Sequence, residues 1–376
     1  MNSKAHWKLT SGIDIRLILL GAGASVPFGL PTMQELTEVA LTKVSEFDRK
    51  LPEEILNKLR MTEMKPDFES IYTILEAIVD PVKGIREAGP FAAFLLSDSS
   101  RLHPRTDIND VLEELRRTIY KKCSIGRGMI AKVVELYDIL FNSTLIPDWS
   151  NVPTPYQSPA SVGLNRRIVT TNYDMALELY FRSKRIRYSD GFTSSEDQFV
   201  KEFAPHQFRQ SVENFWLMKL HGSLWQFWYE NKIIKTIDDP ENSSLPIKIE
   251  RQMMIYPSKE KPILQDPYFW TYAIFKLEPW NKLIAIGYSF RDDPVNTAIA
   301  DNMDWNPQAQ ILIINPNATE VRDELPERLQ RHSDRIGAMG SRFEDPNLGQ
   351  GIKDWLDPRR YNLYNNPEGY RQRSTI

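Results

Sequence analysis

Arg16-Leu17-Ile18-Leu19-Leu20-Gly21-Ala22-Gly23-Ala24-Ser25 is the stretch that decides the fold. A short aliphatic run leads straight into a turn of glycine, alanine and serine. A helix tolerates such glycines poorly, whereas a buried strand entering a glycine-rich turn accommodates them. Four later stretches repeat the design. Arg167 to Thr171 leads into Asn172-Tyr173-Asp174, and Trp216 to Leu220 leads into His221-Gly222-Ser223. Lys282 to Ile286 leads into Gly287-Tyr288-Ser289-Phe290, and Gln310 to Ile314 into Asn315-Pro316-Asn317.

Helical patterns lie between these runs. Thr32 with Glu35 three residues on forms a capping box, and Met33, Leu36, Ala40, Val44 and Phe47 follow at helical spacing. Asp67 caps a second stripe of Phe68, Ile71, Leu75 and Ile78. Val111, Leu112, Leu115 and Ile119 form a third, and Ile130, Val133, Val134, Tyr137 and Phe141 a fourth. Asp293-Pro294 supplies an N-cap with proline at the first helical position. Strands alternating with helices, at separations too long for hairpins, predict an α/β, Rossmann-like, doubly wound parallel sheet with a large helical insertion. The expected divisions are 1–34 for the first strand and glycine turn, 35–165 for the insertion, 166–345 for the rest of the sheet domain and 346–376 for a tail. The tail, with its arginines and Tyr361, Tyr364 and Tyr370, reads either as an assembly contact or as a solvated basic end.

In such sheets ligands bind beyond the carboxyl ends of the strands. The five polar clusters therefore converge on one crevice although they are scattered over most of the chain. Composition narrows what binds there. Among 376 residues, 47 are basic and 50 acidic, a net charge of −3, which excludes a globally basic nucleic-acid binder. A single cysteine, Cys123, excludes an intramolecular disulfide and a cysteine-cluster metal site, and points to a cytoplasmic protein. The uncharged stretch from Leu17 to Gln34 is interrupted by Pro27 and Pro31 and by glycines, so it does not read as a membrane span.

The first turn is a phosphate-cradling candidate, since glycines let backbone amides approach a pyrophosphate. It departs from the ordinary dinucleotide fingerprint, because Val26 stands where a third glycine belongs. Its other reading is a purely structural turn. His221 is the side chain best matched to proton transfer near neutral pH, and Asn172 supplies donors and an acceptor without charge. Against this, a strand-end histidine is often a packing residue. Asn172 can satisfy a turn, and Asp174 can cap the next helix.

Taken together and in order, the clusters resemble the sirtuin-related family of NAD-consuming domains, in its bacterial, anti-phage defence-associated branch. The carrying pieces are Gly21-Ala22-Gly23-Ala24-Ser25 with Gly29-Leu30-Pro31, Thr170-Thr171-Asn172-Tyr173-Asp174 and Lys219-Leu220-His221-Gly222-Ser223. Gly287-Tyr288-Ser289-Phe290-Arg291-Asp292-Asp293 and Ile314-Asn315 complete the set. The resemblance implies that Gly21, Ala22, Gly23 and Ser25 bind the pyrophosphate, and that Asn172 and Asp174 flank the nicotinamide ribose and carboxamide. It implies His221 as the catalytic histidine, Gly287 and Ser289 at the phosphates or ribose, and Asn315 at the adenosine ribose. Trp225, Phe227, Trp228 and Tyr229 would then line the nicotinamide side, or else form core.

Protein-deacylating relatives commonly carry a four-cysteine zinc module, which a chain with Cys123 alone cannot build, so no zinc is expected. Hydrolysis of NAD to nicotinamide and ADP-ribose is the leading expectation, as a triggered NAD-depleting effector. Sirtuin-type deacylation or ADP-ribosyl transfer is the second, and a non-catalytic nucleotide-sensing scaffold the third. A free NAD hydrolase is toxic, so a homo-oligomer is expected. By analogy with short defence-branch relatives, a hexameric HerA-type ATPase is the expected partner.

Overall fold

The computed structural model describes residues 15–47, 49–61, 67–79, 105–144, 167–193, 200–210, 215–229, 232–236, 252–254 and 267–357. Its centre is a parallel sheet in the order β11-β10-β9-β1-β2-β5-β3. These strands are β1 (Arg16–Leu20), β2 (Arg167–Thr170), β3 (Tyr188–Ser189), β5 (Phe215–Lys219), β9 (Lys282–Ile286), β10 (Gln310–Asn315) and β11 (Ile336–Gly340). The chain winds outward from β1 on one side through β2, then returns to continue through β9 on the other. This is the doubly wound, Rossmann-like order, with its crevice where the winding reverses, between β1 and β9. The sequence expectation of this fold class holds.

Register aligns the strand ends. Leu20 pairs with Thr170 and with Ile286, Thr170 pairs with Lys219, and Ile286 pairs with Ile314. The last residues of the central strands thus form one rung across the sheet.

Alternation along β1 sends Ile18 and Leu20 to one face and Leu17 and Leu19 to the other. Both faces are covered, which is why these strands read as unbroken apolar runs. Helices α5 (Ile130–Thr144), α6 (Ala176–Lys184) and α9 (Leu348–Leu356) cover the first face. Helices α7 (Tyr268–Leu277) and α8 (Asp293–Trp305) cover the second. Phe141 sits at the heart of the first core, its ring 5.2 Å from Tyr180 and 5.5 Å from Phe215 between centroids. Truncating such a fully buried ring to alanine costs about 3–5 kcal/mol.

A third core joins helices α1 (Met33–Phe47), α2 (Leu51–Met61), α3 (Phe68–Val79) and α4 (Arg105–Cys123). The capping box at the start of α1 forms in both directions. The Thr32 amide donates to Glu35 Oε2 at 2.6 Å, and the Glu35 amide donates to Thr32 Oγ1 at 3.3 Å. Asp67 Oδ1 accepts from the Ser70 amide at 2.9 Å, the cap expected for α3. Leu36, Ala40 and Val44 are buried, as their spacing predicts, while Phe47 is exposed. Ile78 and the proline-rich stretch before β2 fall on side chains or residues outside those described.

The third core also takes in Leu224, Trp225 and Met254 from a small antiparallel sheet, ordered β4-β7-β6-β8. Its strands are β4 (Val200–Glu202), β6 (Gly222–Tyr229), β7 (Lys232–Thr236) and β8 (Gln252–Met254). Within the stretch expected as one insertion, α5 packs against the main sheet while α1 to α4 share the third core. At the other end, α9 lies inside the stretch expected as a tail, yet its Leu348, Ile352 and Trp355 are buried in the first core. Tyr361, Tyr364 and Tyr370 fall outside the described residues. None of the described helices is long and apolar enough to cross a membrane.

Candidate functional site

Each polar cluster begins within two residues of the rung, so the register of the sheet brings the five together. The closest fit is between the turns after β1 and β9. The Gly21 amide donates to the Ile286 carbonyl at 2.9 Å, and the Gly23 amide donates to the Gly287 carbonyl at 3.0 Å. A Cβ on Gly21 would lie 2.5 Å from Tyr288 Cα, and one on Gly23 would lie 2.8 Å from Gly287 Cα. Gly287 has φ +61°, and a Cβ there would lie 2.3 Å from the Ala24 nitrogen. The three glycines interlock two turns of protein.

Two 3₁₀ turns, Ala22–Ala24 and Val26–Phe28, follow β1, and α1 starts only at Met33. No α-helix N-terminus therefore stands at the glycine turn, unlike a standard dinucleotide fold. The amides of Gly21, Gly23, Ala24 and Ser25 are engaged within the protein. Among the described residues, no hydrogen bond engages those of Ala22 and Val26, which remain available to a ligand.

Ser25 ties this turn to the one after β2. Its buried hydroxyl donates to Asp174 Oδ2 at 2.6 Å and accepts from Asn172 Nδ2 at 2.9 Å. The same Asn172 nitrogen donates to the Gly21 carbonyl at 2.9 Å. A carbonyl only accepts, so that contact decides which end of the carboxamide is nitrogen. Both N–H groups of Asn172 are committed to the turn after β1, and Oδ1 is the atom it has to offer.

Asp174 Oδ1 accepts from the Ala176 amide at 2.9 Å at the start of α6. Burial pushes the Asp174 carboxyl above the ordinary carboxylate range, with the Lys219 charge and the Ser25 hydrogen bond opposing it. Asp174 is thus a buried pin between two turns and the following helix. Lys219, at the end of β5, donates to the Asp174 carbonyl and pairs with Glu178 at 3.2 Å. Glu178 pairs with Lys235 as well, at 3.2 Å, and Lys235 pairs with Asp190. Burial alone would raise the Glu178 carboxyl, but the two lysines together hold it below its usual value. This buried charge network supports the Asn172-Tyr173-Asp174 turn from beneath.

His221 follows β5 and is 8% exposed. Its Nε2 lies 2.6 Å from Asp292 Oδ2, also buried, and the Tyr173 ring lies 6.4 Å away between centroids. The other Asp292 oxygen accepts from the Val295 amide at 3.3 Å and so caps α8. The cap is Asp292, one residue before the Asp293 that the sequence suggests, and Pro294 falls at the second helical position. Two residues before the cap, Phe290 adopts φ +54°. A left-handed conformation costs a non-glycine residue about 1–2 kcal/mol. Asn296 holds it there, donating to the Phe290 carbonyl at 2.8 Å and accepting from the Tyr288 hydroxyl at 3.3 Å.

The remaining candidates lie along the same edge but outside these networks. Ser289 is exposed beside the interlocked turn, and Ala22 is exposed at its tip. Asn315 is half-buried at the end of β10, where its Oδ1 accepts from the Asn317 amide at 2.9 Å. Of the aromatic run, Phe227 is fully buried, Trp225 belongs to the third core under Arg182, and Trp228 is exposed. Asp292 and Lys219 were both present in the quoted motifs, yet motif reading gave neither of them a role. Cys123 ends α4 as a buried thiol, pushed up to about 12 by burial. Among the described residues, no group of three or more His, Cys, Asp and Glu is placed to hold a metal ion.

Comparison with known proteins finds a match to a domain model over part of the chain. Residues 166–336 match the model of a SIR2-like domain. That span holds the Asn172, His221, Gly287 and Asn315 turns but leaves the glycine turn after β1 outside it. A search of curated proteins finds no match. Similar solved structures include Sir2Tm bound to a propionylated peptide, at 11% identity and TM-score 0.37, covering 95% of this chain and 98% of that one. A Sir2 complex with a p53 peptide and NAD+ is 12% identical with TM-score 0.36, covering 94% and 97%. A mutant Sir2 homologue in complex with ADP-ribose is 12% identical with TM-score 0.40, covering 96% and 98%.

Proposed function

We propose that this protein is an NAD glycohydrolase, cleaving NAD to nicotinamide and ADP-ribose, and that it serves as a triggered NAD-depleting effector of bacterial defence against phage. The SIR2-like match supports NAD as the substrate. The observation that carries hydrolysis is the locked carboxamide of Asn172. With both N–H groups spent on Gly21 and Ser25, it presents an acceptor oxygen, which suits the O–H of a nucleophilic water.

Cleavage passes through an oxocarbenium-like state at the ribose. The pyridinium leaves as neutral nicotinamide, so no general acid is needed. The water oxygen bonds to the ribose carbon as the bond to nitrogen breaks. Asn172 orients that water, and His221 takes up its proton and returns it to solvent. Ala22 and Val26 offer amides to the pyrophosphate, Ser289 a hydroxyl, and Asn315 a carboxamide to the adenosine ribose. Restraint of such an enzyme is assigned to assembly, as a homo-oligomer or with a hexameric HerA-type ATPase.

The test is product analysis of NAD incubated with the purified full chain, with and without an acyl-lysine peptide. Wild type is expected to release nicotinamide without the peptide. Asn172→Ala and His221→Ala are each expected to lose about 100-fold or more, the usual contribution of a positioned proton-transfer group. Full activity in both variants overturns the site. Release that requires the peptide assigns the chain to deacylation instead.

A further inference from the structure

We infer that Asp292 is a positioning residue for His221, setting which imidazole nitrogen carries the proton. The inference rests on the proposed role of His221 as the base. The two side chains come from different strand ends, after β5 and after β9, and meet at 2.6 Å in a buried setting. A carboxylate only accepts, so the imidazole nitrogen facing it, Nε2, is the one that donates. In the neutral ring the lone pair then resides on Nδ1, which becomes the basic atom. As a proton arrives at Nδ1, the nearby carboxylate stabilises the imidazolium that forms.

The surrounding structure is built to deliver this carboxylate. Phe290 is held in the left-handed region by Asn296, two residues before Asp292. The helix cap engages Oδ1, which accepts from the Val295 amide, while Oδ2 faces the histidine. A cap alone needs neither the charge nor the second oxygen, since asparagine and serine cap as well. Among the described residues, the Tyr173 ring faces His221, and Tyr272 and Tyr288 lie close enough to Asp292 for its charge to raise their hydroxyls, with Asp293 also acting on Tyr288.

Asp292→Asn separates the two tasks, because asparagine keeps the cap and loses the charge. With the full chain and NAD, the variant is expected to melt like wild type and keep its KM while kcat falls roughly 100-fold. Asp292→Ala is expected to lose both stability and turnover. Independently of turnover, ¹⁵N spectra of histidine-labelled wild type, assigned with His221→Ala, are expected to show His221 protonated at Nε2. That state is expected to change in Asp292→Asn. Wild-type spectra with the proton on Nδ1, or an Asp292→Asn variant with unchanged kcat and unchanged ¹⁵N shifts, overturn the inference. If wild type fails to turn over NAD, the proposed function falls, and the spectra alone decide the place of Asp292.

Discussion

Replacing Gly287 by alanine tests whether the interlocked turns contribute to stability as their geometry requires. Three glycines make a graded series. Gly126 has φ −66° and open space around a new Cβ, so alanine there fits without strain. It is expected to be neutral or to stabilise by up to about 1 kcal/mol, through the unfolded chain. Gly29 has φ +77° with nothing within 4 Å, so alanine costs only the left-handed backbone, about 1–2 kcal/mol. Gly287 carries the same kind of strain, and its Cβ would also meet the Ala24 nitrogen at 2.3 Å and the Gly23 carbon at 2.5 Å. Backbone cannot rotate aside as a side chain can, so the two turns must separate. Overpacking of that kind adds about 1–3 kcal/mol, for a total of about 2–5 kcal/mol. Urea unfolding followed by tryptophan fluorescence gives the comparison, with Trp280 and Trp355 as buried reporters. The expected order of stability is Gly126→Ala above Gly29→Ala above Gly287→Ala. A Gly287→Ala variant as stable as Gly29→Ala refutes the interlock. The same variant is expected to lose NAD turnover, because moving Ala24 moves Ser25 away from Asn172.

Three further outcomes follow from the buried groups. Removing Glu178 leaves Lys219 and Lys235 buried without the carboxylate between them, so Glu178→Ala is expected to cost about 3–5 kcal/mol in urea melts; a loss under about 1 kcal/mol would mean that the network relaxes to solvent. The raised Asp174 carboxyl contributes stability below the ordinary carboxylate range and loses it as pH rises through its folded value. The stability of wild type minus that of Asp174→Asn is therefore expected to fall as pH rises above the ordinary carboxylate range, and a difference that grows with pH contradicts the sign. With its thiol pushed up to about 12, Cys123 is expected to react with a thiol probe only after denaturation, and rapid labelling of the native protein would place it elsewhere.

The parallel sheet was legible because burial on both faces removes alternation and leaves apolar runs that end abruptly at polar turns. Lys282 to Ile286 is one such run, and β9 occupies those residues. The capping box at Thr32 was legible because both partners are local in sequence. The small antiparallel sheet was hidden by the same physics. Strand β6 is buried through Phe227 on both faces, so it shows an aromatic run with no period of two. Helix α9 did carry a signal, with Leu348, Ile352 and Trp355 at helical spacing, but it is only nine residues long and sits beside a basic tail. At Asp292-Asp293-Pro294, the preference for proline at the first helical position points to Asp293 as the cap. The cap is Asp292 instead, and its other oxygen meets His221, 71 residues away in sequence, a contact that no local pattern encodes.

What joins these observations is that each reactive candidate is held by a residue from another strand's turn. Asn172, after β2, is oriented by Gly21 and Ser25, which lie 151 and 147 residues earlier. His221, after β5, meets Asp292, 71 residues later and beyond β9. The turn after β1 is in turn locked by Gly287. A site assembled in this way has no local precursor, because a single strand and its turn can place a side chain at the edge of the sheet but cannot orient it. The residues matched by the SIR2-like model contain both members of the His221 pair but neither anchor of Asn172. The glycine turn is therefore best understood as the part that sets the Asn172 carboxamide, and under the proposed function the amides of Ala22 and Val26 are the ones left for a phosphate. That division also explains why a third glycine is dispensable at Val26. The interlock is complete with Gly21, Gly23 and Gly287, and Val26 lies one residue past the hydroxyl that completes the network.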